Sequence, residues 1–305
     1  MRKKLKWLID RIHDGREQYA ELGILILVFF IPFFFDVQGN IDVKKPDNLD
    51  ILKLFLYFAL KHGNVGIGIG LIVLMLIILR QFNKDRSMNR GNLYHQHTMA
   101  WYSLCSYLLG YKTCNLTRVP IATQFKLVLR DTFEKCNYGS DAAYPEIDKA
   151  EDKIIIQQCR MSDDGKKQLK QTDASPSDAA RGVTDDYAVN IAISDTYPIM
   201  EDMLPAKCVT ARPMFIIQRE NNKKSQVRCY SPNLIHAVND FVRNLPGVVE
   251  IHIFPTTNPK NTFRIVEDVF KTAGRDNIKK LYVHTQPNSS KGDWTFSDDG
   301  KRIYG

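Results

Sequence analysis

Two long apolar runs near the start of the chain organise everything after them. Gly66 to Leu79 reads GIGIGLIVLMLIIL, fourteen residues without a charge, about 21 Å of helix at about 1.5 Å per residue. Extended back to His62 and on to Arg80, the run nears the ~30 Å of bilayer hydrocarbon and predicts a span over about 62–80. Leu22 to Phe35, LGILILVFFIPFFF, is a run of the same kind and predicts a span over about 19–38. Its Pro32 is better tolerated in a membrane helix than in an exposed one. The competing reading of each run is a buried core helix. Two such runs within the first eighty residues, both flanked by Lys and Arg, favour the bilayer. No small-residue cleavage site follows Phe35, so the first run does not read as a removed signal peptide. Gly66, Gly68 and Gly70 allow close helix approach, which makes the second span a candidate for self-association.

The pattern divides the chain into a membrane anchor, 1–91, and a larger polar domain, 92–305. Before the first span, Leu5, Leu8, Ile9 and Ile12 share one helical face among Lys and Arg, the make-up of a helix lying on a membrane surface. Basic residues lie beyond the outer ends of both spans and the short linker carries four Asp, so the positive-inside rule puts both termini in the cytoplasm. Ile51 to Leu60 is either an interfacial helix or the start of a longer second span. From Trp101 to Tyr111 apolar residues recur at helical steps, and Pro120 opens a second amphipathic helix. A strand follows at Ile154–Ile156, then a polar loop over Met161–Asp186. Strands are predicted at Tyr187–Ser194 and Met214–Arg219, the latter in a hairpin with Gln226–Tyr230. A helix from Pro232, a strand at Val248–Phe254, a helix over Thr262–Thr272 and a strand at Ile278–His284 complete an α/β domain with a mixed sheet. The tail from Pro287 reads as polar and loosely specified.

The formal charge of +8 is spread along all 305 residues with no long basic run, which argues against a nucleic-acid polymer as partner. The six cysteines form no CxxC pair and read as reduced thiols filling core positions. The glycine series at 66, 68 and 70 has the letters of a dinucleotide fingerprint, but no strand precedes it. His95 and His97 are two apart on a predicted helix and point apart, so no metal site is read there. No GxSxG, HExxH or GxxxxGK[ST] occurs, so no catalytic residue is assigned.

Asp195, Thr196, Tyr197 and Pro198 follow directly on an apolar strand, and ligands in open α/β sheets collect beyond such strand ends. A simple Asp and Pro turn explains the same letters. Tyr230-Ser231-Pro232 ends one strand and caps the next helix, where a hydroxyl and free N–H groups suit an anion, although N-capping by Ser231 accounts for it equally. Arg212, Arg219 and Arg228 lie on or near the hairpin, within reach of a phosphate.

These features resemble the STING family of cyclic-dinucleotide receptors in its bacterial, membrane-anchored form. The resemblance covers about residues 94–285. It rests on the helix from Ala100-Trp101 to Gly110-Tyr111, the strand into Ser194-Asp195 with Pro198 and Leu204 beyond, a hairpin with arginine near its turn, and Tyr230-Ser231-Pro232. The chain departs from the family in having two spans where animal members have four. The resemblance implies a long connecting helix and a homodimer enclosing a cyclic dinucleotide such as cyclic di-GMP, with no other cofactor. Tyr111 would stack on a base, Ser231 would contact the ligand with Asp195 and Thr196 beside it, and Arg228 would meet a phosphate. It also implies antiphage defence of the CBASS type, in which ligand drives higher oligomers that disrupt the bacterial inner membrane. Competing readings are a two-span effector with a SAVED- or CARF-type nucleotide sensor, a membrane-tethered enzyme acting near Asp195, and an anchor that recruits a protein partner.

Overall fold

A computed structural model describes residues 15–35, 61–89, 94–162, 166–171, 187–220, 228–245, 247–271, 278–286 and 294–304, together with 53, 57 and 164. The surface helix before residue 15, most of Ile51–Leu60, and Gln226 and Val227 of the expected hairpin lie outside the described residues. The chain forms two compact units, Met1–Arg118 with Thr132–Lys135, and Val119–Asp131 with Cys136–Gly305. The segment 94–118, read above as part of the polar domain, therefore belongs with the apolar helices.

In the first unit, α1 (Arg16–Phe34) and α2 (Gly63–Asn83) are the two predicted spans. Only 22% and 17% of their most apolar stretches are buried, so they are not core helices of a soluble fold. Ile26, Leu27, Phe34, Leu74, Ile77 and Phe82 all face outward. They pack as an antiparallel pair, because the start of α1 meets the end of α2: Asn83 Nδ2 donates to Glu21 Oε2 at 2.9 Å, and Gln18 Nε2 donates to the Met88 carbonyl at 2.8 Å. A Cβ on Gly68 would lie 2.7 Å from the Phe29 carbonyl oxygen. The expected self-association face of glycines is thus occupied within the chain, at least at Gly68, by α1.

The connecting helix is shorter than the resemblance implies. It runs from α3 (Met99–Ser103), capped by Thr98, through a π-helical turn at Leu104–Leu108, and stops at Gly110. Gly110 has φ +81, and a Cβ there would lie 2.7 Å from the Cα of Arg80. Left-handed backbone and close approach together require glycine. Strand β1 (Thr113–Asn115) follows, with Met88 N donating to the Thr113 carbonyl at 2.8 Å.

The second unit is a seven-stranded mixed sheet with helices on both faces. After α4 (Ile121–Leu129) and the short β2 (Lys135–Asn137) come β3 (Ile154–Met161), β4 (Lys167–Gln171), β5 (Tyr187–Ser194), α5 (Ala206–Ala211), β6 (Met214–Arg219), α6 (Pro232–Arg243), β7 (Val248–Pro255), α7 (Pro259–Ile265, continuing as a π-helix to Lys271), β8 (Lys280–Val283) and β9 (Lys301–Tyr304). The strand order is β4-β3-β6-β5-β7-β8-β9. The four central strands β6, β5, β7 and β8 are parallel, and the outer ones run antiparallel. Central strands buried on both faces read as continuous apolar runs, as β5 and β6 do.

Three predictions are corrected here. Met214–Arg219 forms no hairpin with the segment ending at Tyr230, because β6 is bonded on one edge to β3 and on the other to β5. The polar loop over Met161–Asp186 contains β4, whose alternating Lys and Gln made its polar face look like a linker. The tail contains β9, whose exposed Lys301 and Arg302 suit a sheet edge that must not pair further. On one sheet face Ala192, Ile216 and Phe254 pack with Leu204, Cys208 and Phe296. On the other, Phe215 packs against Phe241 of α6 at 5.0 Å between ring centroids. All six cysteines are thiols rather than disulfides and five are buried; burial raises the Cys159 thiol to about 11.

Candidate functional site

From β5 the chain turns to β6 on one side, while β7 leads to β8 on the other. The crevice between β5 and β7 is therefore the topological switch point of the parallel strands, where ligands bind in open α/β sheets. Asp195 leaves β5 at this point and is 1% exposed. One carboxylate oxygen accepts from Asn258 N at 3.0 Å, Asn258 Nδ2 at 2.9 Å and Asn261 Nδ2 at 2.9 Å. Its other oxygen lies 3.7 Å from Arg219 Nη1. Arg219 Nε donates to Asp152 Oδ1 at 2.9 Å, and the second Asp152 oxygen accepts from the Ser231 hydroxyl. Ser231 in turn accepts from Leu234 N at 3.1 Å, capping α6, and its own N–H donates to Asn261 Oδ1 at 3.2 Å. Asn258 caps α7, accepting from Asn261 N at 3.0 Å.

One cation and two anions are thus buried together and almost fully hydrogen-bonded, the condition under which buried charge is tolerated. Burial pushes the Asp195 carboxyl above its usual range, against the opposing pull of the Asn258 and Asn261 donors and the Arg219 charge. Thr196 is tied to the same hub, its N–H donating to the Thr256 carbonyl at 3.1 Å and its hydroxyl to the same oxygen. Lys260, two residues past Asn258 and 9% exposed, holds its ammonium 4.5 Å from the Tyr230 ring centroid and 5.9 Å from that of Tyr138.

The structure brings Asp195, Thr196 and Ser231 together. Arg228 is exposed and sits against the Tyr144 hydroxyl, outside this network; the arginine at the hub is Arg219. Asp152, Asn258 and Asn261 escaped the sequence reading. Asn258 and Asn261 follow a strand end and precede Pro259 or lie one turn on, a capping signal legible in TTNPKN; Asp152 carries no comparable mark. Tyr111 is 1% exposed and lies in the first unit, where its hydroxyl donates to Glu21 Oε1 at 2.7 Å. Glu21 also accepts from Asn83 at 2.9 Å and lies 3.5 Å from Arg86. His95 and His97 precede α3 in irregular backbone rather than lying on a helix, with ring centroids 5.7 Å apart. Among the described residues no group of three or more His, Cys, Asp or Glu is placed to hold a metal ion.

An antiparallel pair of outward-facing apolar helices, with a mixed α/β unit carrying a buried polar hub at its strand switch point, defines a two-span membrane-associated protein. The sequence model of the SMODS- and Ubiquitin system-associated 2TM effector domain matches residues 3–299, and the chain belongs to that family. It is a two-span effector domain associated with nucleotide-signalling defence. No curated protein sequence matches it. Among solved structures it is similar to the Acinetobacter baumannii Cap4 SAVED/CARF-domain containing receptor, determined with the cyclic trinucleotide 3'3'3'-cAAA, at 8% identity and a TM-score of 0.39. That match covers 67% of this chain and 42% of the receptor, so the chain spans less than half the receptor's length. The specific likeness to STING finds no counterpart in these matches.

Proposed function

We propose that the chain is a receptor and effector in one, not an enzyme. Its α/β unit binds a cyclic oligonucleotide at the β5–β7 switch point, and binding shifts the two spans into a higher assembly that damages the bacterial inner membrane. Both termini are cytoplasmic in this reading, which the antiparallel α1–α2 pair supports by placing the outer ends of the two helices on one side. The observation that carries the proposal is the hub of Asp195, Arg219, Asp152, Ser231, Asn258 and Asn261. It fixes the strand-end loops and the start of α6 at the place where α/β sheets take ligands, with Lys260 adding positive charge beside it. Membership of a two-span effector family supports the output half.

In the form proposed here the base-contacting groups lie within one α/β unit. The STING-type reading, with a cyclic dinucleotide between two copies, asks Tyr111 to offer a ring face; the burial of that ring and its bond to Glu21 favour the first form. The test uses the full chain in detergent micelles, since residues 94–118 fold with the helices. Melting is followed with cyclic di-GMP, other cyclic dinucleotides and 3'3'3'-cAAA. A ligand at a hundredfold excess over its Kd stabilises by about 2.7 kcal/mol, a readily measured upward shift. The same ligand is expected to release dye from proteoliposomes. No shift with any of these nucleotides overturns the proposal, and a shift confined to cyclic dinucleotides with two chains per ligand restores the STING form.

A further inference from the structure

We infer that Trp294, braced by Tyr197, is the surface on which a base of the bound nucleotide stacks. The inference rests on the functional reading above. Among the described residues of the α/β unit, Met200 and Trp294 are the large apolar side chains left exposed, and Trp294 is the larger, at 60% exposure. A single exposed apolar side chain needs no explanation by itself. This one is held in place by a chain of specific bonds. The Tyr197 hydroxyl donates to Gln286 Oε1, and Gln286 Nε2 donates to the Trp294 carbonyl at 2.7 Å. The rings of Tyr197 and Trp294 are 6.0 Å apart at 59°. A tilted pair buttresses the indole on one side, and the side chain remains 60% exposed.

Position points the same way. Tyr197 lies two residues past Asp195, and its carbonyl accepts from the Ser194 hydroxyl at 3.1 Å and the Thr256 hydroxyl at 3.0 Å, which locks it to the ends of β5 and β7. Gln286 lies just past the carboxyl end of β8. Trp294 is therefore fixed at the carboxyl edge of the parallel strands, on the same edge as the hub and Lys260. An aromatic face stacks any base and a purine best, and truncating such a residue weakens binding roughly fivefold to 150-fold.

The test titrates the full chain in micelles with the same cyclic oligonucleotides, comparing wild type with Trp294→Ala and Trp294→Phe. For any nucleotide that wild type binds, Trp294→Ala should weaken binding at least fivefold and Trp294→Phe less than threefold, while the ligand-free melting temperature stays unchanged. The preference for purine over pyrimidine rings should shrink in Trp294→Ala. If wild type binds but Trp294→Ala loses less than fivefold, this inference falls and the receptor reading stands. If wild type binds none of the nucleotides, both fall together.

Discussion

Replacing Arg219 by Met keeps an unbranched apolar stem and removes the guanidinium charge between two buried carboxylates. Arg219 is 3% exposed, Asp152 is 0% and Asp195 is 1%, so water does not reach in to compensate. Breaking a buried pair by deleting one partner costs about 3–5 kcal/mol. For a unit of this size each kcal/mol moves the melting temperature by about 2–4 °C, giving a drop on the order of 6–20 °C at pH 7. The drop should also depend on pH. Burial already raises the Asp195 carboxyl above its ordinary value, and Arg219 is one of the influences pulling it back; the variant loses that influence and the carboxyl rises further. A carboxyl whose folded pKa exceeds its unfolded one costs stability at higher pH, and the cost vanishes as pH falls through the folded value. Scanning calorimetry of the full chain in micelles should therefore find the gap between variant and wild type largest at pH 7 and smaller at pH 5. Adding Asp195→Asn to Arg219→Met should recover part of the loss. A variant melting within about 2 °C of wild type at pH 7, or a gap that widens on acidification, would refute the account of the hub.

Two further outcomes concern the first unit. Tyr111→Phe removes the hydroxyl that donates to buried Glu21 and should cost about 1.5–3 kcal/mol, the worth of a hydrogen bond to a charged group; an unchanged thermal melt would mean that Asn83 and Arg86 satisfy Glu21 without it. Gly68→Leu forces a Cβ to within 2.7 Å of the Phe29 carbonyl oxygen, whereas a Cβ on Gly23 meets nothing within 4 Å. The first substitution should lower stability by about 1–3 kcal/mol and Gly23→Leu should not, and equal effects in calorimetry would show that α1 and α2 do not pack through Gly68.

Both spans were legible because uninterrupted apolar residues leave few alternatives, and the observed Arg16–Phe34 and Gly63–Asn83 start and stop within a few residues of the predicted limits. The central strands were legible for a related reason, since a strand covered on both faces is written as a continuous run such as YAVNIAIS. The edge strands were not. KQLKQ and KRIY carry polar residues because half of each faces water, and alternation over so few residues resembles a loop. The hairpin error has the same root: adjacency in sequence suggested a partner for β6, but β3 and β5, far away in sequence, had already taken both of its edges. Of the site, Asp195 and Ser231 could be found because each sits at a strand end or helix start. Asp152 and the role of Arg219 could not, because a buried ion pair across 67 residues is specified by topology rather than by spacing. The surroundings of Tyr111 were not legible, because an aromatic after a helix looks the same whether its face is open or its hydroxyl is buried.

The use of Gly68 against α1 leaves the outer surface of the two-helix hairpin coated with phenylalanine, isoleucine and leucine. If copies gather in a bilayer as proposed, they would meet through large, deformable side chains instead of a groove cut for close backbone contact. Such a coat tolerates many mutual orientations, so substitutions that abolish the proposed release of dye from proteoliposomes should be scattered over the lipid-facing positions and individually mild, with Gly68 standing out only because it holds each hairpin together.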